Sequence, residues 1–310
     1  MQVSSPEELP EGYRSGFVAV MGKPNVGKST LVNGYVGHKV AIVSPKPQTT
    51  RRRLRGILTL PQAQIVFVDT PGMHEPRHKL GEYMVQTALG AIGDADVVLL
   101  LVDVSTLPQA EDLNLARSIR RQASGTCILV MNKIDLLPPE KEDEHRQAYL
   151  SSMDFSEWVT FSATEGYNRQ ELLNLPIRHL PPGPQLYPPD QITDQPLRFM
   201  VAELIREQVL DLLRQEVPHF VAVVVDEFHE RRKDLTHIEA TIYVAKDTQK
   251  GIVIGHRGSM LKQIGSAARQ EIQRLLGTKV YLELWVKVRR RWPRDEAALR
   301  FLGYVLPERK

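Results

Sequence analysis

The stretch Gly22-Lys23-Pro24-Asn25-Val26-Gly27-Lys28-Ser29 constrains this chain more than any other, because it sits between the apolar run Phe17-Val18-Ala19-Val20-Met21 and a helix-like Thr30-Leu31-Val32-Asn33. Strand, glycine-rich loop and helix in that order aim successive backbone N–H groups at the α- and β-phosphates of a nucleotide. At this spacing Lys28 reaches the β- and γ-oxygens, and the Ser29 hydroxyl suits Mg²⁺. Such a loop belongs in a parallel sheet, and the sequence supplies one. Strand-like runs at Ile65 to Val68, Val97 to Val102, Cys127 to Met131 and Val159 to Phe161 alternate with helix-like segments at Arg77 to Leu89, Glu111 to Gln122 and Arg169 to Leu175. That alternation predicts βαβ units and a mostly parallel, doubly wound α/β sheet.

The sheet accounts for little more than half of the 310 residues. Residues 181–196, Pro-Pro-Gly-Pro-Gln-Leu-Tyr-Pro-Pro-Asp-Gln-Ile-Thr-Asp-Gln-Pro, hold six prolines, which deny the donors that a helix or central strand needs. The segment reads as a semi-rigid, extended linker. The expected domains are therefore residues 1–182, a linker at 183–195, and residues 196–310. No internal repeat is evident. Charge divides along the same line: residues 1–195 carry 19 Lys+Arg against 22 Asp+Glu, whereas 196–310 carry 21 against 15, and 15 against 6 from Lys246 onward. A basic terminal region on a near-neutral body points to a polyanion, either nucleic acid or an anionic membrane.

No apolar run approaches the roughly 18 to 20 residues of a membrane helix, and residues 1–11 are acidic where a signal peptide would be basic and then apolar. A cytosolic protein is the expectation. The lone Cys127, inside an apolar run, cannot form an internal disulfide and reads as a small core residue.

A phosphate loop in a doubly wound sheet needs partners at the carboxyl ends of neighbouring strands, and they follow in order. Asp69-Thr70-Pro71-Gly72 ends one apolar run, placing Asp69 to hold Mg²⁺ through water and the Gly72 N–H near a γ-phosphate. Asn132-Lys133-Ile134-Asp135 ends another. The Asp135 carboxylate can accept from both N1–H and the N2 amine of guanine, whereas adenine offers neither. Asn132 would brace the loop, and the Lys133 stem would cover the base. After the last strand, Ser162-Ala163-Thr164 places the Ala163 N–H for guanine O6.

These four stretches resemble the nucleotide motifs of translation-factor-class GTPases, and Gln48-Thr49-Thr50-Arg51 is similar to their mobile threonine segment. The resemblance implies that one threonine, Thr50 rather than Thr49, gives Mg²⁺ its hydroxyl in the triphosphate state and releases it after hydrolysis. The neighbouring Arg51, Arg52, Arg53 and Arg55 read as a solvated loop face, as an arginine finger or as a phosphate-backbone contact. One departure bears on catalysis: Met73 stands where Ras-like enzymes place a water-orienting glutamine, and a thioether cannot orient water. The resemblance is thus to GTPases with a hydrophobic substitution there, among which a phosphate-loop asparagine coordinates K⁺. Asn25 occupies that place; the competing reading is that Pro-Asn simply suits the turn. Lys28, Asn25 and Thr50 are the expected catalytic residues, with GTP or GDP, Mg²⁺ and K⁺ as ligands.

The second half carries an independent motif, Val253-Ile254-Gly255-His256-Arg257-Gly258-Ser259-Met260-Leu261-Lys262-Gln263-Ile264, which resembles the KH signature. A Gly-x-x-Gly turn between two helices lets a single-stranded backbone approach, with Arg257 and Lys262 available to phosphates. A helix-turn-helix would also use glycine and basic residues, so the surroundings decide. Helix-like Arg198 to Gln215, strands Phe220 to Phe228 and Ile238 to Val244, helix Ser259 to Leu276 and strand Val280 to Val288 give αββααβ, the α+β type II KH arrangement. From Phe17 to Val305 the chain resembles the Era family of bacterial GTPases. That resemblance implies GTP hydrolysis coupled to binding the 3′ end of 16S ribosomal RNA during 30S subunit assembly, in a cytoplasmic monomer with some peripheral membrane contact. The competing class is a trafficking switch whose basic end binds lipid headgroups.

Overall fold

The computed structural model describes residues 9–213, 217–232 and 234–305; the acidic stretch at residues 1–8 and the end of the helix expected to reach Gln215 lie outside them. The chain divides into two compact units. The first comprises the residues up to Ala41, Thr50–His74 and Val85–Asp194; the second comprises Ile42–Thr49, Glu75–Met84 and the residues from Gln195 on. Two short segments inside the expected 1–182 domain are therefore grouped with the second half.

In chain order the first unit runs β1 (Arg14–Gly22), α1 (Lys28–Val36), β2 (Leu54–Thr59), β3 (Ala63–Asp69), α2 (Lys79–Gly93, whose residues up to Met84 belong to the second unit), β4 (Val97–Asp103), α3 (Ala110–Gln122), β5 (Thr126–Asn132), α4 (Glu142–Ser152), β6 (Glu157–Thr160) and α5 (Arg169–His179). Its six-stranded sheet has the order β2-β3-β1-β4-β5-β6. All pairs are parallel except β2 with β3. Strands β3 and β4 are buried almost throughout because helices cover both faces, which is why they read as unbroken apolar runs. Val18, Val20, Phe67, Leu99 and Val130 pack under α1 and α5, while Ala19, Met21, Val98, Leu100 and Met131 pack under α3, α4 and the later turns of α2.

Register positions the site. Val20 lies beside Asp69, Gly22 beside Leu101 and Asp103 beside Asn132, so the loop glycine and the motif residues emerge together at the carboxyl ends of the central strands. Residues 183–195 do not hang free as an extended spacer. Leu186 and Tyr187 donate their N–H groups to Gln64 Oε1 at 2.7 and 2.9 Å, Ile57 N–H reaches Ile192 O at 2.9 Å, and Arg55 pairs with Asp194 at 2.5 Å. The prolines forbid regular structure, and main-chain and side-chain groups of β2 and β3 supply the donors and acceptors instead.

The second unit adds α6 (Leu197–Leu212), β7 (Val221–Arg232), β8 (Leu235–Val244), α7 (Asp247–Ile254), α8 (Ser259–Leu276), β9 (Lys279–Val288) and α9 (Glu296–Phe301). The sheet order is β7-β8-β9, with β7 antiparallel and β9 parallel to β8. Ile238, Ala240 and Ile242 of β8 point into a core with Ile205, Val209, Ile264, Ala268 and Ile272 of α6 and α8. A second cluster centres on the fully buried Trp292, with Leu80, Tyr83, Met84, Leu299, Leu302 and Tyr304. Alongside it, Arg206 donates to the Thr49 carbonyl, Val43 N–H donates to Glu207 at 3.1 Å, and Lys46 donates to the carbonyls of Leu210 and Leu213.

Candidate nucleotide and nucleic-acid sites

The glycine loop takes its shape from three close approaches. Gly22 and Gly27 have φ of 151° and 100°, and Asn25, with φ 63°, is left-handed without being glycine. A Cβ on Gly22 would strike Val26 at 2.8 Å, one on Gly27 would fall on Asn132 Nδ2, and one on Gly72 would meet Pro24 at 2.7 Å. Gly72 therefore lets the second motif close over the loop, and Met73 N–H donates to Gly22 O at 3.1 Å while its side chain packs beside the core.

The three residues expected to serve Mg²⁺ converge. Ser29 Oγ lies 2.6 Å from Asp69 Oδ2, Thr50 Oγ1 lies 3.2 Å from the same oxygen, and the two hydroxyls are 2.9 Å apart. Thr49 instead bonds Lys46 O at 2.6 Å. Burial pushes the Asp69 carboxyl up, opposed by the Ser29 hydrogen bond and the Lys28 charge. Its other oxygen, Oδ1, is buried with no hydrogen-bond partner among the described residues. A buried carboxylate oxygen without a partner, beside two hydroxyls, suits a hard divalent cation. Lys28 is buried, which lowers its pKa to about 8 against the pull of Asp69. Its ammonium donates to Lys23 O at 2.8 Å and Gly22 O at 3.2 Å, leaving one of its three protons for a phosphate.

At the base end, Asn132 bridges two loops, with Nδ2 donating to Val26 O at 2.7 Å and Oδ1 accepting from Ala163 N–H at 3.0 Å. The Ala163 N–H, expected at guanine O6, is thus engaged by Asn132 in this structure. Asp135 is exposed and open to a base. Lys133 extends to Asp103 Oδ2 at 2.6 Å; Lys133 and Ser105 hold the Asp103 carboxyl below its ordinary value although burial pushes it up. Thr70 and Ser162 turn inward as braces, Thr70 to Val20 O at 2.7 Å and Ser162 Oγ to Glu165 N–H at 3.1 Å. Pro71 is buried beside them. Lys23 pairs with the buried Asp112 at 2.8 Å. Sequence reasoning missed Asp103 and Asp112; Asp103 had a signal, as a carboxylate closing an apolar run, whereas Asp112 is found only once α3 is placed.

The arginines after Thr50 are not a uniform solvated face. Arg51 is buried, Arg53 bonds Thr87 O and Asp94 at 2.8 and 2.9 Å, and Arg55 pairs with Asp194.

In the second unit the turn Gly255-His256-Arg257-Gly258 joins α7 to α8 with left-handed φ at Gly255, Arg257 and Gly258. A Cβ on Gly255 would meet Met260 at 2.7 Å, whereas Gly258 opens to free space. His256, Arg257 and Lys262 are exposed, and among the described residues none of them makes a hydrogen bond or ion pair. Cations so placed are available to a phosphate backbone.

Fold and site together define a P-loop GTPase that carries an RNA-binding KH domain. Residues 17–133 match the family described as 50S ribosome-binding GTPase, and residues 216–293 match the KH domain family. Among solved structures, the chain is similar to Aquifex aeolicus Era Y63A bound to GDP and aluminium fluoride, at 40% identity with TM-score 0.91, covering 94% of this chain and 100% of that one. It is equally similar to Era in complex with MgGDPNP and nucleotides 1506–1542 of 16S ribosomal RNA, at 40% identity and TM-score 0.91, covering 95% and 100%. The chain belongs to the Era family of GTPases.

Proposed function

We propose that this GTPase uses its nucleotide cycle to control binding of the 3′ end of 16S ribosomal RNA during assembly of the 30S subunit. The observation that carries the reading is the full-length likeness to an Era that holds both MgGDPNP and that RNA segment, joined to an exposed basic glycine turn at Gly255–Gly258. In this reading Gly22, Lys23, Pro24, Asn25, Val26, Gly27, Lys28, Ser29 and Gly72 cradle the phosphates. Ser29, Thr50 and Asp69 hold Mg²⁺, which neutralises developing charge on the phosphates. Asp135 selects guanine, with Asn132, Lys133, Ser162 and Ala163 shaping the base pocket and Thr70 and Pro71 backing the loop. Asn25 would hold K⁺ where no glutamine orients water. Gly255, His256, Arg257, Gly258 and Lys262 receive the RNA backbone.

The protein would work as a cytoplasmic monomer with peripheral contact at the inner membrane face. Among the described residues no helix is long and apolar enough to cross a membrane. The test is crosslinking in cells followed by sequencing of bound RNA. Reads concentrated at the 3′ end of 16S RNA are expected; reads spread over unrelated transcripts, or recovery with anionic lipid and no RNA, would overturn the assignment.

A further inference from the structure

The outer face of the β7-β8-β9 sheet carries an arrangement that neither GTP chemistry nor RNA binding calls for. Register sets Glu227 opposite Glu239 and Glu239 beside Glu283, so three carboxylates stand abreast across three strands. The next row is His229, His237 and Tyr281. Like charges directly opposite one another destabilise a sheet. A register shift between Val225 and Glu227 is what brings Glu227 into line with Glu239. Such bulges re-aim side chains and commonly mark functional positions.

Among the described residues the ion-pair partners of these glutamates are histidines only. His229 lies 3.5 Å from Glu227, and His237 Nε2 lies 3.9 Å from both Glu239 and Glu283. Three carboxylates thus face two imidazoles. His237 is the second, independent pointer. Its side chain is only 4% exposed, stacked against Tyr281 with centroids 5.3 Å apart, and its Nδ1 has no hydrogen-bond partner among the described residues. Its Nε2, the nitrogen aimed at Glu239 and Glu283, also makes no hydrogen bond among the described residues; a buried ring nitrogen left so is costly, and ligation through Nε2 would satisfy that atom.

We propose that His237, Glu239 and Glu227, with Glu283 as a fourth donor, form a site for a divalent transition metal of the Zn²⁺ class on the KH sheet. One ligand atom from each of Glu227, His237 and Glu239 already lies within 4.8 Å of the others. Donors about 2.1 Å from a tetrahedral ion are about 3.4 Å apart, so small rotations of the exposed Glu227 and the half-buried Glu239 and Glu283 close the shell around a fixed imidazole. One nitrogen with carboxylate oxygens favours Zn²⁺, Mn²⁺ or Co²⁺ over Mg²⁺, which prefers oxygen alone and keeps its water. The ion would staple three strands beneath the RNA-binding helices.

The test is Zn²⁺ titration of the full chain, free of any histidine tag, against a chromophoric chelator. Mg²⁺ and GDP are present to occupy the phosphate-loop site, and Co²⁺ absorption reports coordination. One equivalent of Zn²⁺ per chain is expected, with affinity falling about tenfold or more in Glu239→Gln and in His237→Asn. Should His237→Asn fail to fold, Glu239→Gln and Glu227→Gln decide alone, because their side chains lie on the outer face. No saturable binding, or unchanged affinity in both glutamate variants, would overturn the site.

Discussion

Two glycine turns each precede a helix N-terminus in this molecule, and they are built in opposite ways. The loop at Gly22–Ser29 is tied to its surroundings on three sides: Lys28 caps two loop carbonyls, Asn132 ties Val26 to Ala163, and Gly72 closes over Pro24. At the turn Gly255–Gly258 a Cβ on Gly255 would meet Met260 and Ser259 and one on Gly258 would meet open space, and the side chains of His256 and Arg257 are exposed. A nucleotide of fixed shape rewards a preassembled cradle, since ordering is complete before binding. A flexible polymer that must slide and adjust register rewards an open turn with long-range charge. The two turns should therefore fail differently when perturbed.

The largest effect should come from Lys28→Ala. A buried ammonium with one proton left for a phosphate supplies a charge-assisted hydrogen bond of about 1.5 to 3 kcal/mol, and its removal also leaves Asp69 without its neighbouring cation, so GTP affinity should fall by about two decades. RNA affinity should largely persist, because the turn at Gly255 lies in the other unit. Nucleotide titration and RNA filter binding on the same variant check this. Parallel loss of both would show that the two turns are one coupled site.

Next in size is the reciprocal change, His256→Asp with Arg257→Asp. Two carboxylates against phosphates should weaken single-stranded RNA by about one to two decades and flatten the salt dependence, with GTP affinity barely altered. Any RNA stimulation of hydrolysis should vanish with it, since a ligand shifts a switch only through differential affinity for its states. Fluorescence anisotropy across a salt series reads both.

A subtler contrast uses glycine alone. Gly27→Ala puts a Cβ on Asn132 Nδ2 at a φ of 100° and should break the link between phosphate and base loops, whereas Gly258→Ala at φ 80° meets open space. The second should cost only the left-handed strain of about 1 to 2 kcal/mol in stability. Thermal unfolding with GDP titration separates them: Gly27→Ala should lose nucleotide out of proportion to stability, and Gly258→Ala should not.

How much of this was legible beforehand follows the same contrast. The phosphate loop, Asp69, Asn132 and the KH turn were readable because each is a short local pattern whose chemistry fixes its neighbours. The parallel strands were readable as apolar runs. Strand β2 was not, because Leu54-Arg55-Gly56-Ile57-Leu58-Thr59 follows an arginine cluster and pairs antiparallel at the sheet edge, where alternation is weak. Helix α4 was hidden because it buries only His145 and Tyr149. Nothing local announces that Ile42–Thr49 and Glu75–Met84 group with the second unit, since that depends on Arg206, Glu207 and Trp292, more than a hundred residues away. The row Glu227, Glu239, Glu283 is likewise invisible until a bulge sets the register.

The smallest effect bears on Asn25, where two readings of one residue remain in competition. Its left-handed backbone, φ 63°, is sufficient by itself to select asparagine over most residues, because the short polar side chain tolerates that region. A K⁺ ligand makes a different demand, on the side-chain oxygen. Asn25→Gly separates them, since glycine keeps the turn without strain and removes the amide. If Asn25 serves K⁺, the parent should hydrolyse GTP severalfold faster in K⁺ than in Na⁺ at equal ionic strength. A fivefold ratio corresponds to about 1 kcal/mol of transition-state stabilisation, and Asn25→Gly should erase it while GDP affinity stays near the parent value. If the turn alone selects asparagine, parent and variant should hydrolyse at equal rates in both salts. Met73 would then be left without a charge-stabilising substitute at Asn25, and the acceleration would have to come from other groups at the site, such as Lys28 and Thr50.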